Sequence, residues 1–130
     1  YHKTLNYGDC ILEKRAAAAA GINEKIFINT KGQISEGTVC NVFFVRKNMI
    51  YTPQLSCGLL PGILREYIME RFQVTETIIY PDELMYYEEC FVTNSLMGVM
   101  PVRQLGNICF PHRAKADEVR EVYEKEKMSL

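Results

Sequence analysis

Ile34-Ser35-Glu36-Gly37-Thr38-Val39-Cys40-Asn41-Val42-Phe43-Phe44-Val45 is the stretch that decides the fold. Its first half reads as a short strand ending near Glu36-Gly37. Its second half, Asn41 to Val45, is a strongly apolar run of the kind that forms a buried strand. Upstream, Lys25 to Asn29 is a further strand, and Thr30-Lys31-Gly32-Gln33 turns it back. Downstream, Lys47-Asn48 turns the chain into a strand over Met49 to Thr52, followed by a loop over Pro53 to Gly58.

The pattern then alternates. Gly62 begins a helix whose Leu64, Ile68 and Phe72 recur at i, i+4 and i+8, a packed face. Val74 to Tyr80 reads as a strand, and Pro81-Asp82 opens a short helix with Asp82 as its N-cap. Cys90 to Thr93 is a buried strand with Asn94-Ser95 at its end. Val99 to Val102 and Asn107 to Phe110 are strands around a Leu105-Gly106 turn. Ala116, Val119 and Tyr123 form the inner face of a closing helix. Near the start, Tyr1 to Tyr7 is extended, and Asp9 caps a helix carrying Ile11, Leu12, Ala16 and Ala19 on one face, with Gly21 ending it. Strands and helices mixed in this order predict an α/β or α+β domain with the strand order left open.

Composition sets outer bounds. The chain has 130 residues and 48% hydrophobic residues, which suits one domain, residues 1–130, with a real core. A formal charge of -1 gives no field to attract nucleic acid or an anionic membrane. No apolar run approaches the roughly 20 residues of a spanning helix. The five cysteines, at 10, 40, 57, 90 and 109, are odd in number and contain no C-x-x-C pair. Reduced thiols in a cytoplasmic protein fit them better than a disulfide framework or a zinc site. His2 and His112 are too few to anchor a metal. The start at Tyr1, with Lys3 close behind, leads us to expect a chain whose preceding part is missing.

Four separated segments share one chemistry. Lys3 carries the one side chain that condenses with an aldehyde to a Schiff base. Glu36, at a strand end beside a glycine, suits a protonated ring nitrogen, whose charge keeps the carboxylate ionised. Gly62, at a helix entry, lets the backbone approach a phosphate held by free N–H groups. Asn94 and Ser95 add an amide, a hydroxyl and main-chain N–H groups. Together they answer the needs of pyridoxal 5'-phosphate: an amine, an acid at the ring nitrogen, phosphate donors and an apolar surface. Each alone has an ordinary structural explanation, as an exposed turn glutamate, a capped helix or a polar turn. Tyr7 is either a donor to the ring oxygen or a core residue.

Lys3-Thr4-Leu5-Asn6-Tyr7, Ile34 to Phe43, Leu60-Pro61-Gly62-Ile63-Leu64-Arg65 and Thr93 to Val102 resemble, in order, the motifs of the class IV aminotransferases, the fold-type IV pyridoxal phosphate enzymes. The resemblance implies the larger C-terminal domain of a two-domain chain, a mixed sheet or pseudo-barrel with flanking helices, without the smaller N-terminal domain. It implies that Lys3 attaches the cofactor and shuttles the proton, and that Glu36 pairs with the pyridine nitrogen. Ile63 and Leu64 would give main-chain N–H groups to the phosphate, with Asn94 and Ser95 on its other side. Leu60 would pack on the ring. It further implies a homodimer acting on a small amino substrate. Leu64 departs from the threonine frequent there, and Val39 and Cys40 replace hydroxyls.

The Asn94-Ser95-Leu96-Met97 loop and Lys3-Thr4-Leu5-Asn6 place aminodeoxychorismate lyase, which releases pyruvate, slightly ahead of a D-amino acid or branched-chain aminotransferase. A reading of another class is an inactive chain that serves only as a folded or dimerisation domain.

Overall fold

The computed structural model describes residues 4–12, 23–29, 33–37, 41–54, 63–94 and 98–128. In chain order the elements are β1 (Thr4–Leu12), β2 (Asn23–Asn29), β3 (Ile34–Gly37), β4 (Asn41–Arg46), β5 (Met49–Pro53), α1 (Ile63–Arg71), β6 (Val74–Thr77), a 3-10 helix (Pro81–Tyr86), β7 (Glu89–Asn94), β8 (Gly98–Leu105), β9 (Ile108–Cys109) and α2 (Ala114–Met128).

β4 organises the rest. Val42, Phe43, Phe44 and Val45 are each at most 1% exposed, so both faces of this strand are covered. Val42 and Phe44 join one packed cluster with Ile34, Ile79, Val92 and Val102. Phe43 and Val45 join a second with Leu64, Ile68, Phe91, Ala116 and Val119, which brings both helices to that face. The rings of Phe43 and Phe91 stack there with centroids 4.9 Å apart and planes 10° from parallel. The strand's period of two, applied to a wholly apolar run, produces these two cores.

The strands run in the order β3-β2-β1-β8-β7-β4-β5-β6, with β9 paired to β8. β5 and β6 are parallel, joined through the α1 crossover, and the other pairs are antiparallel. The two ends of this order meet, because the Ile34 N–H donates to the Ile79 carbonyl just past β6. The sheet therefore curls into the mixed, barrel-like form expected, with α1 and α2 on its outer face.

Most expected elements are present. Lys47 and Asn48 adopt φ of 50° and 65°, the left-handed pair that a tight β4–β5 hairpin requires. Three expectations change. Asp9 caps no helix: Asp9, Cys10, Ile11 and Leu12 continue β1. Cys10, Ile11 and Leu12 pair with Leu105, Gln104 and Val102 of β8, a long-range ladder that overrides the local helical spacing. Ala16, Ala19 and Gly21 lie outside the described residues. The expected strand to Tyr80 stops at Thr77, where its partner β5 ends. Asp82 is not the N-cap of the following turn. Tyr80 holds that place, its N–H bonded to the Glu83 carboxylate at 2.9 Å, and Pro81 takes the first helical position.

α2 is fixed by a carboxylate from another element. Glu89, 6% exposed, accepts the N–H groups of Lys115 and Ala116 at 3.0 to 3.1 Å. It thereby satisfies donors that a helix start leaves open. Among the described residues no helix is long and apolar enough to cross a membrane, and no cluster of metal-ligating side chains occurs.

Candidate active site

Counting pairings across the sheet, β3, β5 and β7 all run in one direction. Their C-terminal residues, Gly37, Pro53 and Asn94, thus leave toward the same end of the sheet. At β7 that end is tightly registered: Asn41, the first residue of β4, lies opposite Thr93, and Gly98, the first of β8, lies opposite Asn94. The hydroxyl of Thr52 donates to the Val42 carbonyl at 2.8 Å and clamps the end of β5 to β4.

The first turn of α1 is fastened to this end by Arg65. Its side chain is 4% exposed, and Nη2 donates to the Pro53 carbonyl at 3.2 Å and to Glu76 Oε2 at 2.9 Å. Leu64 beside it is buried in the cluster that holds Phe91 and Val99. Ile63, the first residue of α1, is 87% exposed. The helix dipole makes such a start electropositive, while Glu76 balances the charge of the buried guanidinium.

Two buried side-chain atoms lack a hydrogen-bond partner among the described residues: Thr93 Oγ1 and Arg65 Nε. One lies in the residue before Asn94, the other two residues into α1. A buried polar group without a partner is uncommon and calls for an explanation, an absent ligand among them.

The segments expected to build the site are placed as follows. Ile63 and Leu64 open α1. Asn94 closes β7. Tyr7 sits where the β1–β2 register slips, between Asn6 opposite Phe27 and Gly8 opposite Ile26. Gly37 pairs with the same Ile26 from the other side of β2, so Tyr7 and Glu36 stand at one level of the sheet. Two strand spacings, about 10 Å, separate them, the scale of a small aromatic ring with its substituents. Lys3, Leu60, Gly62 and Ser95 lie outside the described residues.

Sequence reasoning placed Arg65 and Thr93 inside its motifs but assigned neither a role. An arginine in the first turn of a helix that begins at an anion-binding motif was the available signal for the first. Thr93 carried none, since a β-branched residue in an apolar strand reads as strand filler.

A family model described as amino-transferase class IV matches residues 1–105. The chain belongs to the class IV aminotransferases. Branched-chain amino acid aminotransferase 2, chloroplastic, of Humulus lupulus is 33% identical over 108 residues, covering 77% of this chain and 26% of that protein. The structure of the branched-chain aminotransferase of Thermoproteus uzoniensis with norvaline superposes with a TM-score of 0.71 at 27% identity, over 78% of this chain and 36% of the other. The structure of a "Putative 4-amino-4-deoxychorismate lyase" of Legionella pneumophila does so with a TM-score of 0.73 at 29% identity, over 78% and 40%. This class IV aminotransferase chain thus spans less than half the length of these relatives.

Class IV aminotransferases are pyridoxal 5'-phosphate enzymes. The residues described here fit such a group. The electropositive start of α1 and a buried hydroxyl without a partner among the described residues together suit a phosphate ester.

Proposed function

We propose that this chain carries the cofactor-binding part of a pyridoxal phosphate-dependent aminotransferase that takes a small amino acid as amino donor. The observation that carries the reading is the meeting, at one end of the sheet, of the start of α1, the β7 end at Thr93-Asn94 and two buried polar atoms without partners. The similarity to branched-chain aminotransferases supports the choice of substrate class.

The bound cofactor supplies an electron sink for the substrate's Cα–H bond. With that group bound, Lys3 would hold it covalently and would serve as the base at the substrate's Cα–H. Glu36 would keep a proton on the ring nitrogen. Tyr7 would donate to the ring oxygen, and Leu60 would pack on the ring. Gly62 would allow close approach of the backbone, and the N–H groups of Ile63 and Leu64 would hold the phosphate together with Asn94 and Ser95. The proposal extends to one folding unit over residues 1–130 that corresponds to the larger, C-terminal domain of a two-domain enzyme. It extends also to a homodimer and to a reducing, cytoplasmic setting, in keeping with the exposed free thiol of Cys109.

A second reading, pyruvate-releasing aminodeoxychorismate lyase, is favoured by the Asn94-Ser95-Leu96-Met97 segment and by the Legionella likeness. The same lysine serves both reactions. Borohydride reduction of the cofactor-loaded full-length protein should fix the cofactor on Lys3, and Lys3→Ala should abolish both the label and the absorbance band of the attached cofactor. A Lys3→Ala protein with the parent spectrum sinks the assignment. Amino transfer from L-leucine and D-alanine, measured beside pyruvate release from aminodeoxychorismate, decides between the readings. Silence in every assay, with no attached cofactor, would instead favour a purely structural domain.

A further inference from the structure

We infer that the hydroxyl of Thr93 is a further phosphate-binding group of this site, donating to the phosphate ester that the start of α1 and Asn94 approach. The inference rests on the cofactor reading above and adds to it a residue that neither the motif spacing nor a backbone N–H supplies.

Thr93 is 1% exposed, and its Oγ1 has no partner among the described residues. The environment explains neither fact by itself. A threonine hydroxyl in a strand commonly bonds a nearby carbonyl, as Thr52 does to Val42. Burying a hydroxyl without a partner costs free energy, so an apolar β-branched residue would serve the folded chain better.

Position supplies the missing reason. Successive strand residues face opposite sides of a sheet. Phe91 belongs to the helix-side cluster and Val92 to the interior cluster, so Thr93 stands on the helix side. Its cross-strand neighbour Val99 belongs to that same cluster, together with Leu64 of the first turn of α1. Its other neighbour, Asn41, already has a partner. Thr93 therefore lies on the sheet face over which α1 begins, one residue before the end of β7.

The start of α1 offers N–H donors but no side-chain hydroxyl, because Ile63 and Leu64 have none. A phosphate monoester presents several acceptor oxygens, more than two adjacent N–H groups saturate. A buried hydroxyl that lacks an acceptor meets an anion that has acceptors to spare.

The test uses the full-length protein, titrated with pyridoxal 5'-phosphate and, separately, with pyridoxal, which lacks the phosphate. Kd is read from the absorbance of the lysine-attached cofactor. Thr93→Val should raise Kd for pyridoxal 5'-phosphate about tenfold or more, the scale of one hydrogen bond to a charged group. Kd for pyridoxal should not move, and Thr93→Ser, which keeps the hydroxyl, should restore the parent value. The thermal midpoint of cofactor-free Thr93→Val should be no lower than that of the parent, which separates a binding role from a folding role. An unchanged Kd for pyridoxal 5'-phosphate in Thr93→Val overturns the inference and leaves the cofactor reading standing. Equal losses for both ligands overturn it too, because the hydroxyl would then act on the ring. A parent that attaches neither ligand removes the cofactor reading, and this inference with it.

Discussion

The two ends of β7 are built on opposite terms. At its start, the Glu89 carboxylate is buried and fully engaged, gripping two N–H groups of α2. The neighbouring Glu88 accepts the Lys47 N–H at 3.3 Å, and its own N–H reaches the Val45 carbonyl. At its finish, four residues on, the hydroxyl of Thr93 is just as buried and has no partner among the described residues. One strand thus carries a closed polar network and an open one, held apart by a wholly apolar middle. The closed end fixes α2 on the sheet, while the open end leaves a buried hydroxyl without a partner among the described residues.

Substitutions can break this contrast. The largest effect is expected in the middle. Phe91→Ala empties the stacked pair with Phe43 and should lower stability by about 3–5 kcal/mol, read from urea denaturation. Glu89→Ala should remove about 2 kcal/mol by leaving the start of α2 unsatisfied, while cofactor affinity stays at the parent value. Thr93→Val should do the reverse, raising the stability of the cofactor-free protein by about 1 kcal/mol while weakening cofactor binding. If Glu89→Ala and Thr93→Val shift stability in the same direction, the contrast is wrong.

A smaller effect should come from Tyr87, just before the closed end. Burial holds its phenol above the ordinary value of 10.0, against the opposing pull of Arg46. The Arg46 guanidinium lies 5.4 Å from the Tyr87 ring and 5.5 Å from that of Tyr51. Below pH 10 both folded and unfolded chains keep this proton, so it adds no pH dependence. As the pH rises past 10 the unfolded chain releases it first, and stability should fall until the folded phenol also titrates. An alkaline absorbance titration should show Tyr87 ionising late, an assignment checked with Tyr87→Phe, and Arg46→Met should delay it further.

The sequence was most legible where local pattern and tertiary demand agree. The Asn41–Val45 run, the Lys47-Asn48 turn, and the Leu64/Ile68 and Ala116/Val119 faces all satisfy both. It misled where distant partners decide. Ile11 and Leu12 carry helical spacing, yet β8 captures them as a strand. The order of the strands was illegible for the same reason, since pairing between remote segments leaves no local periodicity. At the site, glycines, an acid and an amide beside element ends announce themselves as types. Arg65 and Thr93 do not, because their meaning lies in what they touch or fail to touch once folded.

The place of β1 in the order carries a consequence for assembly. Its neighbours are β2, which follows at once, and β8, which is made only after most of the chain. A ribosome releases the two sides of that ladder far apart in time, so β1 can be locked on both edges only after β8 has been made. The strand that follows Lys3 is therefore among the last to gain its full set of neighbours.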